Sequence, residues 1–182
     1  VLLFSQSSEP VLCAVALGAN LPSHVGSPQH TLQAALHRLS LLPLTQLLAA
    51  SSLRTTNPEG PGTSGQPPYT NACASMRTLL TPRGLLALLL EIEKDFGRVR
   101  THEGRNAPRT LDLDILVFGN QIINDQEGEP AVVVPHPRLH ERRFVLEPLA
   151  EILPDMIIPA PAGAGPSTVR AMLARLPAAP AP

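Results

Sequence analysis

The stretch RNAPRTLDLDILVFGN, Arg105–Asn120, decides how the rest of the chain is read. From Thr110 it alternates and then runs continuously apolar to Phe118, which predicts a strand, and Gly119-Asn120 predicts the turn that follows. Successive strand side chains point to opposite faces, so Asp112 and Asp114 share one face while Leu111, Leu113 and Ile115 share the other. Two carboxylates side by side repel each other, and the arrangement becomes favourable when a divalent cation sits against them. Mg2+ is held typically by one or two carboxylates together with substrate phosphates. A bare Asp-x-Asp is a weak signal, because such acids more often only solvate an exposed strand.

The neighbourhood strengthens the metal reading. Of the fourteen basic residues all but Lys94 are arginine, and Arg98, Arg100, Arg105, Arg109, Arg138, Arg142 and Arg143 lie on connectors that lead into or away from the acidic strand. Arginine offers a planar fork that matches phosphate oxygens in pairs. Carboxylate-held metal beside such forks makes a polyphosphate site. Neither a P-loop nor a G-x-G-x-x-G fingerprint occurs in the chain, so no glycine-rich phosphate cradle is indicated.

Outward from this strand, Val11–Gly18 reads as a buried strand, and Leu32, Ala35, Leu36 and Leu39 mark a helix face that Pro43 stops. Leu44–Thr55 and Tyr69–Leu79 read as strands separated by a Pro/Gly/Ser-rich loop. Thr81-Pro82 opens a second helix that Gly97 closes. The order strand, helix, strand, strand, helix, strand is the α+β, ferredoxin-like βαββαβ pattern, with both helices on one face of an antiparallel sheet. Helical stretches near Glu141–Leu153 and at Ser167–Leu176 would extend the sheet or cover its other face.

A length of 182 residues fits one domain, and a formal net charge of −1 gives no global reason to expect a nucleic acid or membrane surface as partner. Residues 1–10 are expected to be an N-terminal tail, 11–176 the domain, and 177–182 a disordered Pro/Ala tail. Cys13 and Cys73 stand in apolar contexts without Cys-x-x-Cys spacing, the pattern of buried, reduced thiols. The apolar runs are too short to span a bilayer and no signal peptide is evident, so a soluble, cytoplasmic protein is expected.

RNAPRTLDLDIL resembles the signature of the 6-hydroxymethyl-7,8-dihydropterin pyrophosphokinases of the folate pathway. The resemblance runs from about Val11 to Leu153 through ALGANL, SSLRTTNPEG, PPYTNA, EIEKDFGRVR, FGNQIIN and VPHPRLHERRFVLEPLAEI. It implies a three-layer α/β/α sandwich with additional C-terminal helices, and transfer of pyrophosphate from ATP to the pterin with two Mg2+ ions, by a monomer whose partners are these small molecules. By resemblance Asp112 and Asp114 hold both ions. Arg98 and Arg109 match positions that contact phosphate or pterin and stabilise the transition state, Arg100 matches a nearby basic position on the nucleotide side, and His136 and Arg142 match positions near the nucleotide.

Gly18, Asn20, Thr56, Tyr69, Asn71 and Phe144 would form the pterin site, with aromatics for the flat ring and an amide for its edge. Without the resemblance, His136 reads as a turn residue and the two aromatics as ordinary core. The chain departs from the family in carrying Asn106 where an aromatic is common, and Asn57 and Glu59 where proline and leucine are common. Two other functions share the fold pattern: a nucleotidyl transferase, which releases pyrophosphate and not AMP, and a non-catalytic RNA-binding module, which the acidic strand and scarce aromatics oppose.

Overall fold

The computed structural model describes residues 6–60, 62–99, 107–160 and 165–177. The first apolar run forms β1 (Gln6–Ala19), the strand that holds the sheet together because it pairs on both sides. After α1 (Pro28–Ser40) come β2 (Thr45–Ala50), β3 (Arg54–Thr56) and β4 (Tyr69–Leu80). Then follow α2 (Pro82–Asp95) and the acidic strand β5 (Asp112–Phe118). The sheet order is β2-β4-β1-β5, with β3 also on β4, and every pairing is antiparallel. That is the ferredoxin-like arrangement expected from the element order.

The second helix starts at the Thr81-Pro82 cap that the sequence predicts, and the first has the same kind of start. Ser27 and Thr81 cap α1 and α2, accepting from the backbone N–H of His30 and Gly84, and each cap is followed by proline. Their apolar stripes, with Leu32, Ala35 and Leu39 on one and Leu85, Leu89 and Ile92 on the other, bury against Val15, Leu17, Ala74, Leu113 and Ile115. Gly97, at φ +82°, ends α2 in the left-handed conformation that glycine adopts without steric cost. On the opposite face lie α3 (Arg143–Ile152) and α4 (Val169–Arg175), whose Leu146, Leu149 and Val169 meet Ala14, Cys73, Leu116 and Val117. The result is three layers, α/β/α.

The continuous apolar end of β5 follows from this layering. Val15 pairs with Ile115 but Ala14 pairs with Val117, so Leu116 is an extra residue in the ladder, a β-bulge. Ile115 and Phe118 enter the first core, Leu116 and Val117 the second.

Four boundaries differ from the sequence reading. β1 begins at Gln6, which pairs with Leu80, and so takes in residues expected to be tail; ladder hydrogen bonds use the backbone and need no apolar side chain. The strand expected over Leu44–Thr55 breaks at Ser51, whose Oγ accepts from Cys73 N at 2.9 Å, while Ser52 N turns away to donate to Glu151 Oε1 at 2.8 Å. The stretch after Gly119-Asn120 forms β6 (Ile123–Asp125) and pairs with β7 (Val132–Val134) as a separate hairpin. β8 (Ile157–Ile158) and β9 (Ser167–Thr168) pair ahead of α4, which is shorter than the helix expected at Ser167–Leu176. Residues 178–182 of the expected tail lie outside the described residues, and no described helix is long and apolar enough to cross a membrane.

Gly119 gives this fold a sharp test. Its φ is +55°, and a Cβ there would lie 2.9 Å from Val11 Cγ1. Gly119→Ala should therefore lower unfolding stability by about 1–3 kcal/mol, from left-handed strain plus the contact. Val11→Ala in the same chain should recover only the contact's share. Urea unfolding with unchanged m-value checks both.

Candidate active site

Asp112 and Asp114 stand opposite two small residues of β1. Gly18 pairs with Asp112 and Ala16 with Asp114, and Gly18 also pairs with Asn71 on its other side. A Cβ at Gly18 would sit 3.3 Å from Asn71 Oδ1, so glycine is what lets that amide stand beside the acids. The two carboxylates share the face of the sheet that α3 covers further along, and neither is fully exposed: 22% and 40% of their side-chain surface meets solvent.

Their charges are balanced unequally. Arg109 Nη1 lies 2.6 Å from Asp112 Oδ2, and Arg98 Nη1 pairs with Asp112 Oδ1. Burial alone would raise the Asp112 carboxyl, but Arg109 and Arg98 outweigh it and hold it below the usual carboxylate range. Asp114 has no such clasp. Burial and then the Asp112 charge push it up to about 7, the repulsion that the strand alternation predicts.

The arginines are themselves fixed. Arg98 also donates to Glu93 Oε1 at 2.8 Å and to the Leu111 carbonyl at 3.1 Å. Glu93 is 1% exposed, and the same oxygen accepts from Leu113 N at 2.8 Å. Arg109 is tied through its backbone: its N–H donates to Asn20 Oδ1 at 2.8 Å, and its carbonyl accepts from the N–H groups of Asn20 and Leu21. Burial lowers the Arg109 pKa, but Asp112 foremost outweighs that and raises it; in Arg142 burial prevails and lowers it.

His136 N donates to the Leu116 carbonyl at 2.8 Å, which uses the backbone beside the bulge. Its Nδ1 accepts from Arg138 N at 3.1 Å, so the proton of the neutral ring is assigned to Nε2, 3.9 Å from Asp114 Oδ2. Burial and then Arg142 press its pKa down to about 4, so the ring is neutral at physiological pH.

A cavity of about 260 Å³ opens beside the acids. Arg109, Asp112, Arg138 and Arg142 border it as one set, and Gly18, Thr56, Tyr69, Asn71 and Phe144 as another. Asn71 Nδ2 donates to Thr56 Oγ1 at 2.8 Å, and the Arg142 guanidinium lies 5.7 Å from the Phe144 ring centre. A separate groove of about 400 Å³, walled by Leu86, Leu90, Ile115 and Val132, reaches Asp114 and His136 from the α2 side.

The sequence-assigned residues are thus largely brought together around the acids, though Arg98 pairs with Asp112 without lining the cavity. Asn20 does not line the cavity; it is 2% exposed, and Nδ2 donates to Gln66 and to the Pro67 carbonyl while Oδ1 holds Arg109. Arg100 and Asn106 lie outside the described residues. Sequence reasoning missed Glu93 and the lining role of Thr63. Glu93 carried a signal, an acid four residues after Leu89 on the buried stripe of α2. No described cluster of three or more His, Cys, Asp or Glu residues could hold a metal. Paired Asp112 and Asp114 still fit a hard cation that completes its shell with phosphate oxygen.

The profile of the 7,8-dihydro-6-hydroxymethylpterin-pyrophosphokinase (HPPK) family matches residues 14–154. The chain is 44% identical over 145 residues to the 2-amino-4-hydroxy-6-hydroxymethyldihydropteridine pyrophosphokinase of Pseudomonas aeruginosa, covering 80% of this chain and 82% of that one. It is 43% identical to the enzyme of the same name from Haemophilus influenzae, covering 80% and 83%. Among solved structures, wild-type Plasmodium falciparum HPPK-DHPS with pteroate superposes with a TM-score of 0.69 at 13% identity. That match covers 92% of this chain but 44% of the other, so it bears on fold alone.

The unequal balance of the two acids predicts opposite effects on stability. Asp114 has its folded pKa raised from 3.8 to about 7, so its penalty is absent below the lower value, grows as pH rises and is complete above the higher. Asp112, held low, contributes stability that is lost as pH falls. In chelating buffer at about pH 8, Asp114→Asn should melt above wild type and Asp112→Asn below it, and the Asp114→Asn gain should vanish near about pH 4. Thermal melts across this range check the sign.

Proposed function

The chain belongs to the 7,8-dihydro-6-hydroxymethylpterin-pyrophosphokinase family, and from that premise we propose how its residues transfer pyrophosphate from ATP to 6-hydroxymethyl-7,8-dihydropterin in folate biosynthesis. The pterin hydroxyl oxygen bonds to the β-phosphorus of ATP, the bond from that phosphorus to the bridging oxygen of the α-phosphate breaks, and AMP leaves. The observation that carries the assignment of roles is the juxtaposition of Asp112 and Asp114 with a cavity bordered by arginines and by Tyr69 and Phe144.

Asp112 and Asp114 are the residues to hold magnesium. Two ions bound there would neutralise the phosphate charge and orient the attacking hydroxyl. Arg109 and Arg142, with Arg138, border the same space and offer forks to the phosphoryl oxygens. His136, neutral with its proton on Nε2, supplies a donor beside Asp114 without adding charge. The apolar groove next to His136 suits a purine base, which would leave the triphosphate running toward the acids. Tyr69 and Phe144 take the flat ring, and Asn71 its polar edge.

ATP as co-substrate and two free, buried thiols fit the cytoplasm. The sheet face that an RNA-binding module would need for stacking bases is covered by α3 and α4. A nucleotidyl transferase is separated by its product. Incubation with the reduced pterin, ATP and Mg2+ should yield AMP and the pterin diphosphate, and release of free pyrophosphate in their place overturns the assignment.

Asp112→Ala and Asp114→Ala should each lower turnover by more than the roughly 10–100-fold typical of residues that only support a metal ligand, and a chelator should abolish turnover reversibly.

The two arginines on Asp112 should separate kinetically. Arg109 has its backbone fixed by Asn20 and stands at the cavity in the resting protein, so Arg109→Ala should weaken ATP binding as well as turnover. Arg98 is held back by Glu93 and does not line the cavity. It reaches phosphate only as charge develops, so Arg98→Ala should lower kcat and kcat/KM together with ATP affinity little changed. Equilibrium binding and single-turnover rates decide between these patterns.

A further inference from the structure

β3 is three residues long and pairs with β4 at the edge of the sheet, yet one lining residue of the cavity depends on it. Thr56 pairs with Tyr69 and Arg54 with Asn71 in that ladder, and Thr56 Oγ1 accepts from Asn71 Nδ2 at 2.8 Å. Phe144 lines the same cavity from the first turn of α3. A strand so short, with few neighbours, is among the elements that open most readily, and a second hold on it has most effect there.

That hold comes from α3. Arg143, Glu147 and Glu151 follow one another at i,i+4 spacing, which places them on one side of the helix. Glu147 Oε2 lies 3.6 Å from Arg54 Nη1 and Glu151 Oε2 lies 3.4 Å from Arg54 Nη2, so the two acids share the fork of one guanidinium. Glu151 also accepts from Ser52 N at 2.8 Å and from Ser52 Oγ at 2.7 Å. Glu147 is itself oriented by Arg143 Nη1 at 3.0 Å, and Arg143 donates in turn to the carbonyls of Leu176 and Pro177. Isolated exposed pairs contribute little, but charges joined in a network are the case in which they count. Arg54, Glu147 and Glu151 do not line the cavity, so they act on it only through the elements they join.

Resting on the pterin assignment above, we propose that Arg54 is a positioning residue: clasped by Glu147 and Glu151, it fixes the spacing between Thr56 with Asn71 on the sheet and Phe144 on α3. When the clasp is lost, β3 shifts against α3 and the slot for the flat ring no longer has one width. Misplacement of binding groups by about 1 Å is enough to be felt at a preorganised site. Among the described residues the Arg54 side chain bonds to α3 and not to β5, so the acids that face the phosphates should not respond.

The test titrates the full chain, with Mg2+ present, against a non-hydrolysable ATP analogue, and then against 6-hydroxymethyl-7,8-dihydropterin with the analogue saturating. Arg54→Ala and Glu147→Ala should each weaken the pterin by about two- to fivefold, the span of an exposed ion pair, and leave affinity for the analogue unchanged. The double variant should lose no more than Arg54→Ala alone, because both changes remove one clasp. Arg54→Lys, which keeps the charge but not the fork, should fall between wild type and Arg54→Ala. Arg38→Ala removes the exposed pair that Arg38 makes with Asp95, between α1 and α2, and should leave pterin affinity unchanged. Equal weakening of both ligands, additive losses in the double variant, no loss in Arg54→Ala, or a loss as large in Arg38→Ala overturns the role given to Arg54 while the pterin assignment stands. Wild type that fails to bind the pterin overturns the assignment and the inference with it.

Discussion

Two carboxylates two residues apart on one strand face must repel, and this protein relieves only one of them. Asp112 is clasped by Arg98 and Arg109, while Asp114 is left to burial and its neighbour's charge. A fold selected only for stability would have paired both acids or replaced one. The unrelieved charge at Asp114 is where the free energy of a bound cation has most to act on, because neutralising it removes a cost already present in the resting molecule.

The sheet is built around that pair. β1 offers Gly18 and Ala16 across from the acids, small enough to leave a floor on which a ligand can rest. Beyond them the bulge at Leu116 turns both faces of β5 apolar, so the strand is anchored between two cores within a few residues of its charged end. Its backbone also receives His136 N at the Leu116 carbonyl, which ties the imidazole to the strand that carries Asp114. The site is thus placed by the rigid centre of the sheet, and the loops add walls to it.

What the sequence made legible was local in origin. The two periods of 3.6 and 2 found the helices and main strands, the Thr81-Pro82 cap found the start of α2, and the alternation in β5 found the shared face of the acids. What it hid depends on partners far away in the chain. Nothing near Ser51 announces that its hydroxyl will take the N–H of Cys73 and end the strand, since only the pairing of β4 brings them together. Asn20 read as a pocket residue because it lies in the right motif, yet its side chain spans from Pro67 to Arg109 and supports the site from behind. Arg98 follows the glycine that ends α2, and nothing adjacent to it in the sequence shows what holds it. The missing information was Glu93, a charge on an otherwise apolar stripe, which no helix buries without a partner.

The same contacts show why the resting protein is not simply an empty version of the working one. Arg98 and Arg109 are spent on Asp112 in the resting protein, so on the proposed assignment of both to phosphate, ligand binding would exchange internal ion pairs for external ones. An exchange of this kind yields less net affinity than the same contacts made by unpaired groups, because the pairs given up offset the pairs gained. It yields selectivity in return: a ligand that brings polyanion and metal together can compensate both the arginines and the acids, whereas an anion alone would draw the arginines away and leave two carboxylates exposed to each other. Arg109, pinned through its backbone, has little to reorganise in that exchange, and Arg98 must leave a buried glutamate behind. The order in which the two let go is therefore set by Asn20 and Glu93, neither of which lines the cavity.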